Sequence, residues 1–149
     1  MDCTFCQIIQ GTLESAVFWE NNDFIATLDL FPNVYGQTLV ISKQHYNSDL
    51  SDMSSETYKQ FFDVARLVSE ILKIKIPVYR VAIVLEGMGI NHAHIKLYPL
   101  HGLENTFHEM WAQERVFFEK YAGYITTQLG PKARINELKA LSKKLSEIA

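Results

Sequence analysis

Between Asn91 and Pro99 polar and apolar side chains alternate without a break, His92, His94 and Lys96 against Ala93, Ile95 and Leu97. A period of two puts the first set on one face of an extended strand and the second on the other, whereas a helix would scatter both around its axis. The apolar set needs a core to face. The segment therefore demands a sheet, and it lines up two imidazoles and an ammonium on one side, with same-face neighbours roughly 6.5–7 Å apart.

The rest of the chain supplies that sheet. Ala16-Val17-Phe18-Trp19 and Phe24-Ile25-Ala26-Thr27-Leu28 flank the turn formers Asn21-Asn22-Asp23, a hairpin pattern. Thr38 to Ile41 reads as a third strand, after a loop punctuated by Pro32 and Gly36. Tyr79 to Leu85 reads as a fourth strand in which Val81, Ile83 and Leu85 alternate with Ala82 and Val84, apolar on both faces, which predicts a central position. Glu86-Gly87-Met88-Gly89 then turns the chain into the fifth strand, His92 to Tyr98.

One long helix is expected from Asp52 or Ser54 to Lys73. Ser54 and Ser55 offer N-caps, Glu56 falls in the first turn, and Phe61, Val64, Ala65, Val68 and Leu72 recur at helical spacing. Phe5 to Ile9, closed by Gly11, predicts one or two helical turns near the N-terminus. Glu104 to Tyr124 is aromatic-rich and reads as irregular or helical. Ile135, Leu138, Leu141, Leu145 and Ile148 form a helical stripe with lysines opposite. The expected fold is α+β: a five-stranded antiparallel sheet with one long helix, a short N-terminal helix and a helical C-terminal extension. With 149 residues, 48% of them hydrophobic, the chain fits one domain, a core of about 1–103 extended by about 104–149.

Composition narrows the function classes. A formal charge of −3 argues against a generic nucleic-acid binder, yet a single phosphorylated small molecule needs only a few local cations. No apolar run approaches the ~20 residues of a membrane span, and Met1-Asp2-Cys3 opens no secretory signal, so a cytoplasmic setting is expected. Two cysteines, Cys3-x-x-Cys6, are too few for a disulfide framework; metal binding, redox use and unligated thiols all remain open.

The alternating strand suggests chemistry at phosphorus. A neutral imidazole attacks phosphorus well when one ring nitrogen keeps its lone pair and the other donates to an orienting acceptor. The result would be a covalent phosphorus–nitrogen intermediate that water hydrolyses. Lys96 and the backbone amides at Gly87 and Gly89 are candidates to offset charge on the phosphoryl oxygens. On the two histidines alone, a merely polar, half-exposed strand face fits as well.

Phe5-Cys6-x-Ile8-Ile9-x-Gly11, Leu28-Asp29-Leu30 followed by Pro32 and Gly36, Leu39-Val40-Ile41-Ser42-Lys43-x-His45 and the final His-x-His resemble, in order, the signatures of the histidine-triad superfamily. The resemblance spans Cys3 to Pro99. It implies a homodimeric nucleotide-binding enzyme that cleaves nucleoside phosphoramidates, dinucleoside polyphosphates or related adenylates. By position, His94 matches the family's nucleophile and His92 its first histidine, while Lys96 stands where the third is usual. Asp29 matches the carboxylate that accepts from the ribose hydroxyls, and Phe5, Ile8 and Leu30 match positions lining the base pocket. Gly87-Met88-Gly89 departs from the usual Gly-Gln-Ser/Thr and removes side-chain phosphate contacts. With Lys96, that departure also admits a nucleotide sensor or scaffold that kept the pocket without the turnover. Some bacterial relatives bind zinc through residues matching Cys3, Cys6, His45 and His92, a structural rather than a catalytic metal. Trp111 is singled out because C-terminal segments in this superfamily often reach the site. Tyr79, Tyr98, Phe107, Phe117, Phe118 and Tyr121 read first as packing, and His101, His108, Lys139, Lys143 and Lys144 as surface.

Overall fold

The computed structural model describes residues 3–103, 107, 114–126 and 131–146, with the side chains of 142–146 excepted. Trp111, His108, Ile148 and the side chains of Lys143, Lys144 and Leu145 therefore lie outside the described residues. The chain divides into two compact units, Met1–Phe107 and His108–Ala149. In the first, α1 (Thr4–Ile9) precedes β1 (Ala16–Glu20), β2 (Phe24–Leu28) and β3 (Thr38–Ser42). A 3-10 turn at Leu50–Asp52 leads into α2 (Ser55–Lys75), and β4 (Val81–Val84) and β5 (His94–Pro99) complete it. In the second, α3 (Ile135–Ser146) is helical as its stripe predicts, and the described part of 107–126 holds no helix or strand.

The five strands form one antiparallel sheet in the order β1-β2-β3-β5-β4. Its two faces have different covers. Phe24 and Ala26 of β2, Val40 of β3, and Ala93, Ile95 and Leu97 pack against Phe61, Val64, Ala65, Val68 and Leu72 of α2. The intervening residues, Ile25, Leu39 and Ile41, meet Phe5 and Ile8 of α1 on the other face. A short helix covers less area than a long one, and the second face is where a cavity remains open.

The central strand is β3, buried at all five positions. The expectation that Tyr79 to Leu85 would be central is corrected: β4 is shorter, pairs among the described residues with β5 alone and stands at the sheet edge with Ile83 44% exposed. Continuous apolar patterning reports two faces to be covered, not what covers them, and an edge strand that meets another chain reads the same way. The long helix starts at Ser55 and not earlier because the Ser54 hydroxyl accepts from the Thr57 amide at 3.2 Å. Ser54→Ala should cost about 1 kcal/mol, visible as a lower denaturant midpoint at unchanged slope. An unmoved midpoint would assign the helix start to packing by Phe61 alone.

Candidate functional site

His94 opens β5, opposite Ile41 of the central strand, and Lys96 follows opposite Leu39. Both side chains line a cavity of about 280 Å³ between the sheet and α1. Phe5, Ile8, Leu39 and Ile90 give it an apolar wall, and Asp29, Asn33 and Gln37 gather at another part of the lining. Of the residues expected from the sequence, the cavity brings together Phe5, Ile8, Asp29, Leu30, Gly89, His94 and Lys96.

The state of the His94 ring follows from its partners. Nδ1 lies 2.7 Å from the His92 carbonyl, which can only accept, so that nitrogen carries the proton and Nε2 keeps its lone pair. Burial lowers the ring below the ordinary imidazole range, with the nearby Lys96 ammonium acting in the same direction. The His92 carbonyl bond and the carboxylates of Glu86 and Asp29 oppose this without reversing it. The ring is neutral near pH 7. The Phe5 ring stands edge-on to it with centroids 5.0 Å apart, limiting how far it can tilt.

Asp29 follows β2 and is tied at both oxygens. Oδ1 accepts from the Phe31 amide at 2.9 Å and Oδ2 from Gln37 Nε2 at 2.6 Å. A carboxylate oxygen has two acceptor sites, so each retains capacity for one more donor.

His92 is placed differently from the strand-only expectation. The chain curls before β5, the His92 amide donating to the Ile90 carbonyl, and pairing begins only at His94. The His92 ring touches Phe5 as His94 does but does not line the cavity. It is fully buried, and Nε2 donates to the Ser42 carbonyl at 2.7 Å, which leaves the Nδ1 lone pair free to act as a ligand. That nitrogen lies 3.4 Å from Cys3 Sγ and 3.6 Å from Cys6 Sγ, and His45 Nδ1 lies 3.3 Å from Cys6 Sγ. All four ligand atoms fall within 4.8 Å of one another. Tetrahedral coordination with bonds of about 2.3 Å to sulfur and 2.05 Å to nitrogen separates such atoms by about 3.5 Å. The cluster fits, and these four residues could hold a metal ion. Burial, with the adjoining Cys3 thiol, keeps the Cys6 thiol above its ordinary range, and a bound cation reverses that preference by favouring thiolate.

Gly87 departs from expectation. Its φ of 73° is the left-handed conformation that favours glycine, and a β-carbon there would come within 2.9 Å of the Ser48 carbonyl. It packs against that loop and does not line the His94 cavity; Gly89 does. Asn91 reinforces the same junction, its side-chain oxygen accepting from the Ser48 amide at 3.0 Å. A larger cavity of about 690 Å³ beside Gly87 carries Asp49, Asp52 and Glu86 with no lysine, arginine or histidine, so its charge opposes a phosphate. His101 donates to the Tyr35 carbonyl at 2.8 Å and is exposed; neither it, Tyr79 nor Tyr98 lines the His94 cavity.

Sequence reasoning passed over Gln37. The signal was present: period-two spacing puts Gln37 on the α1 face with Leu39 and Ile41, where a polar side chain needs a partner.

The HIT domain matches residues 10–103. An uncharacterized HIT-like protein of Mycoplasma genitalium is 34% identical over 105 residues, covering 65% of this chain and 72% of that protein. A structure from Sulfolobus tokodaii, described as a hypothetical histidine triad nucleotide-binding protein, is 30% identical, with a TM-score of 0.64 over 72% of this chain and 76% of that one. A HIT-family structure from Bacillus subtilis, at 22% identity, shares the fold over 99% of this chain and 96% of its own, with a TM-score of 0.69. No helix among the described residues is long and apolar enough to cross a membrane. The match runs from the turn after α1 through the whole of β5 and so takes in every strand around the His94 cavity: the chain belongs to the HIT-domain family.

Proposed function

We propose that this protein is a nucleotide-binding hydrolase or nucleotidyl transferase. It cleaves a phosphoanhydride or phosphoramidate bond at the α-phosphate of a nucleoside, with adenosine the expected base. The observation that carries this is the His94 ring, neutral, oriented through Nδ1 and bordering a cavity that also contains Lys96 and Asp29. The Sulfolobus tokodaii relative, described as nucleotide-binding, supports the ligand class.

In this reading the Nε2 lone pair attacks the α-phosphorus. An N–P bond forms, the bond to the leaving group breaks, and that group departs with the electron pair and takes a proton from solvent. Water then attacks phosphorus and gives a proton to solvent; an O–P bond forms, the N–P bond breaks, and its electron pair returns to Nε2. Lys96 and the Gly89 amide offset charge on the phosphoryl oxygens, Asp29 accepts from the ribose diol, and Phe5, Ile8 and Leu30 cover the base. Incubation with an adenosine phosphoramidate and with diadenosine tetraphosphate tests it: released adenylate supports the reading. AMP binding without turnover of either compound would favour a sensor, the reading that Lys96 in the third histidine's place motivates.

We assign zinc to Cys3, Cys6, His45 and His92, since two sulfurs and two imidazole nitrogens are a donor set that zinc takes tetrahedrally. Bound there, it would fasten the start of α1 to the segment leading into β5 and leave the phosphorus chemistry to His94. We also infer a homodimer, supported by the outer edge of β4, unpaired among the described residues, with Ile83 and Leu85 exposed. Ile83→Lys is expected to halve the mass measured by sedimentation; an unchanged mass would place any dimer contact elsewhere.

A further inference from the structure

We propose that Gln37 is the positioning residue that gives this site its discrimination between ribose and 2′-deoxyribose, acting through Asp29. The proposal rests on the reading of Asp29 as the ribose acceptor.

Gln37 is 2% exposed, a degree of burial that requires a neutral polar side chain to have partners for both its ends. It has them. Its Nε2 donates to Asp29 Oδ2 at 2.6 Å, and its Oε1 accepts from the Asn33 amide at 2.7 Å. The backbones are tied in the same place: the Asp29 amide donates to the Gln37 carbonyl at 2.9 Å, and the Gln37 amide to the Val34 carbonyl at 3.1 Å. Asp29 is thus gripped across the open end of the β2–β3 connection by the first residue of the run into β3.

The consequence for recognition is geometric. Two vicinal hydroxyls engage one carboxylate well only if its plane is fixed, because the second hydrogen bond is lost when the group rotates. The Phe31 amide holds Oδ1 alone, and a carboxylate held at one oxygen can still turn about that contact. Gln37 supplies the second point. Each oxygen then offers its remaining acceptor site in a set direction, two in all, which a diol can fill and a 2′-deoxyribose can fill only once. Glutamine suits the task because its amide donates at one end and accepts at the other, and because it adds no charge that would weaken Asp29 as an acceptor.

Two substitutions separate these functions. Gln37→Glu keeps an acceptor for the Asn33 amide and removes the donor to Asp29. Gln37→Met is uncharged, of similar length, and removes both contacts. Calorimetry would compare AMP with 2′-deoxy-AMP for the wild type, Asp29→Asn, each Gln37 variant, and the Asp29→Asn/Gln37→Met double variant, with circular dichroism to confirm folding. The wild type is expected to prefer AMP by on the order of tenfold, the scale of one hydrogen bond to a charged acceptor. Either Gln37 variant should bring that preference to within about twofold of unity, and the double variant should bind no more weakly than Asp29→Asn alone, since Gln37 acts through Asp29. A folded Gln37 variant that keeps the wild-type preference, or additive losses in the double variant, would overturn the proposal and leave the nucleotide reading standing. If one Gln37 variant does not fold, the other decides. A wild type that binds neither nucleotide would reject the nucleotide reading and this proposal together.

Discussion

His94→Ala should abolish release of adenylate from an adenosine phosphoramidate, lowering kcat/KM on the order of a thousandfold or more. The nucleophile makes and breaks the bond to phosphorus, so no neighbour can take over its contribution, unlike a group that only adds binding. Lys96 presents an ammonium, which has no lone pair to offer phosphorus. His92 has its Nε2 committed to the Ser42 carbonyl and its Nδ1 turned toward the two cysteines. The variant should still fold, because among the described residues the His94 side chain hydrogen-bonds only to the backbone carbonyl two residues back, and the strand pairing opposite Ile41 is made by main-chain groups. AMP should still bind it through Asp29 and the apolar wall. Turnover within about tenfold of wild type would remove His94 from the role of nucleophile.

Stripping zinc should lower the melting temperature substantially, by roughly 10 °C. A ligand present at a thousand times its dissociation constant and bound only by the folded state stabilises it by about 4 kcal/mol. At about 2–4 °C per kcal/mol for a chain of this size, the shift is large enough to read without ambiguity. Cys6→Ser, with chelator or without, should reproduce the low value, and zinc should restore the wild type only. The loss should reach the nucleotide site as well. Cys3 caps α1 and Cys6 lies within it, and the same short helix carries Phe5 and Ile8 into the cavity. Phe5 stands edge-on to both His92 and His94, so loosening the helix loosens the packing around the proposed nucleophile. A melting temperature indifferent to chelation, together with an absence of zinc in elemental analysis, would dismiss the metal assignment.

Most of the fold was legible along the chain because its signals are local. Asn21 shows why the hairpin is so clear: its side-chain oxygen accepts from the amides of Asp23 and Phe24, a turn written into neighbouring residues. Ser54 starts α2 in the same way, and Phe61 to Leu72 repeat at a spacing that only a helix satisfies. The edge position of β4 was not legible. Val81 to Val84 are as apolar as a central strand, and nothing in their order says that β5 slots between β3 and β4. The packing of Gly87 was not legible for a related reason: a glycine near a histidine strand suits a phosphate turn, and the contact with Ser48 depends on a loop about forty residues away.

What the sequence determined by itself is the alternation that opens the site. Period two put His94 and Lys96 on one face and Ala93, Ile95 and Leu97 against α2, because consecutive side chains of a strand have no other choice. Tertiary structure decided how the two histidines divide. The curl at Ile90–His92 turns one ring toward Cys3, Cys6 and His45 and leaves the other beside the cavity. It also decided that Asp29 is held by Gln37. Those contacts join residues far apart in the chain or across a loop, and they form only once the sheet and α1 have fixed which side chains meet.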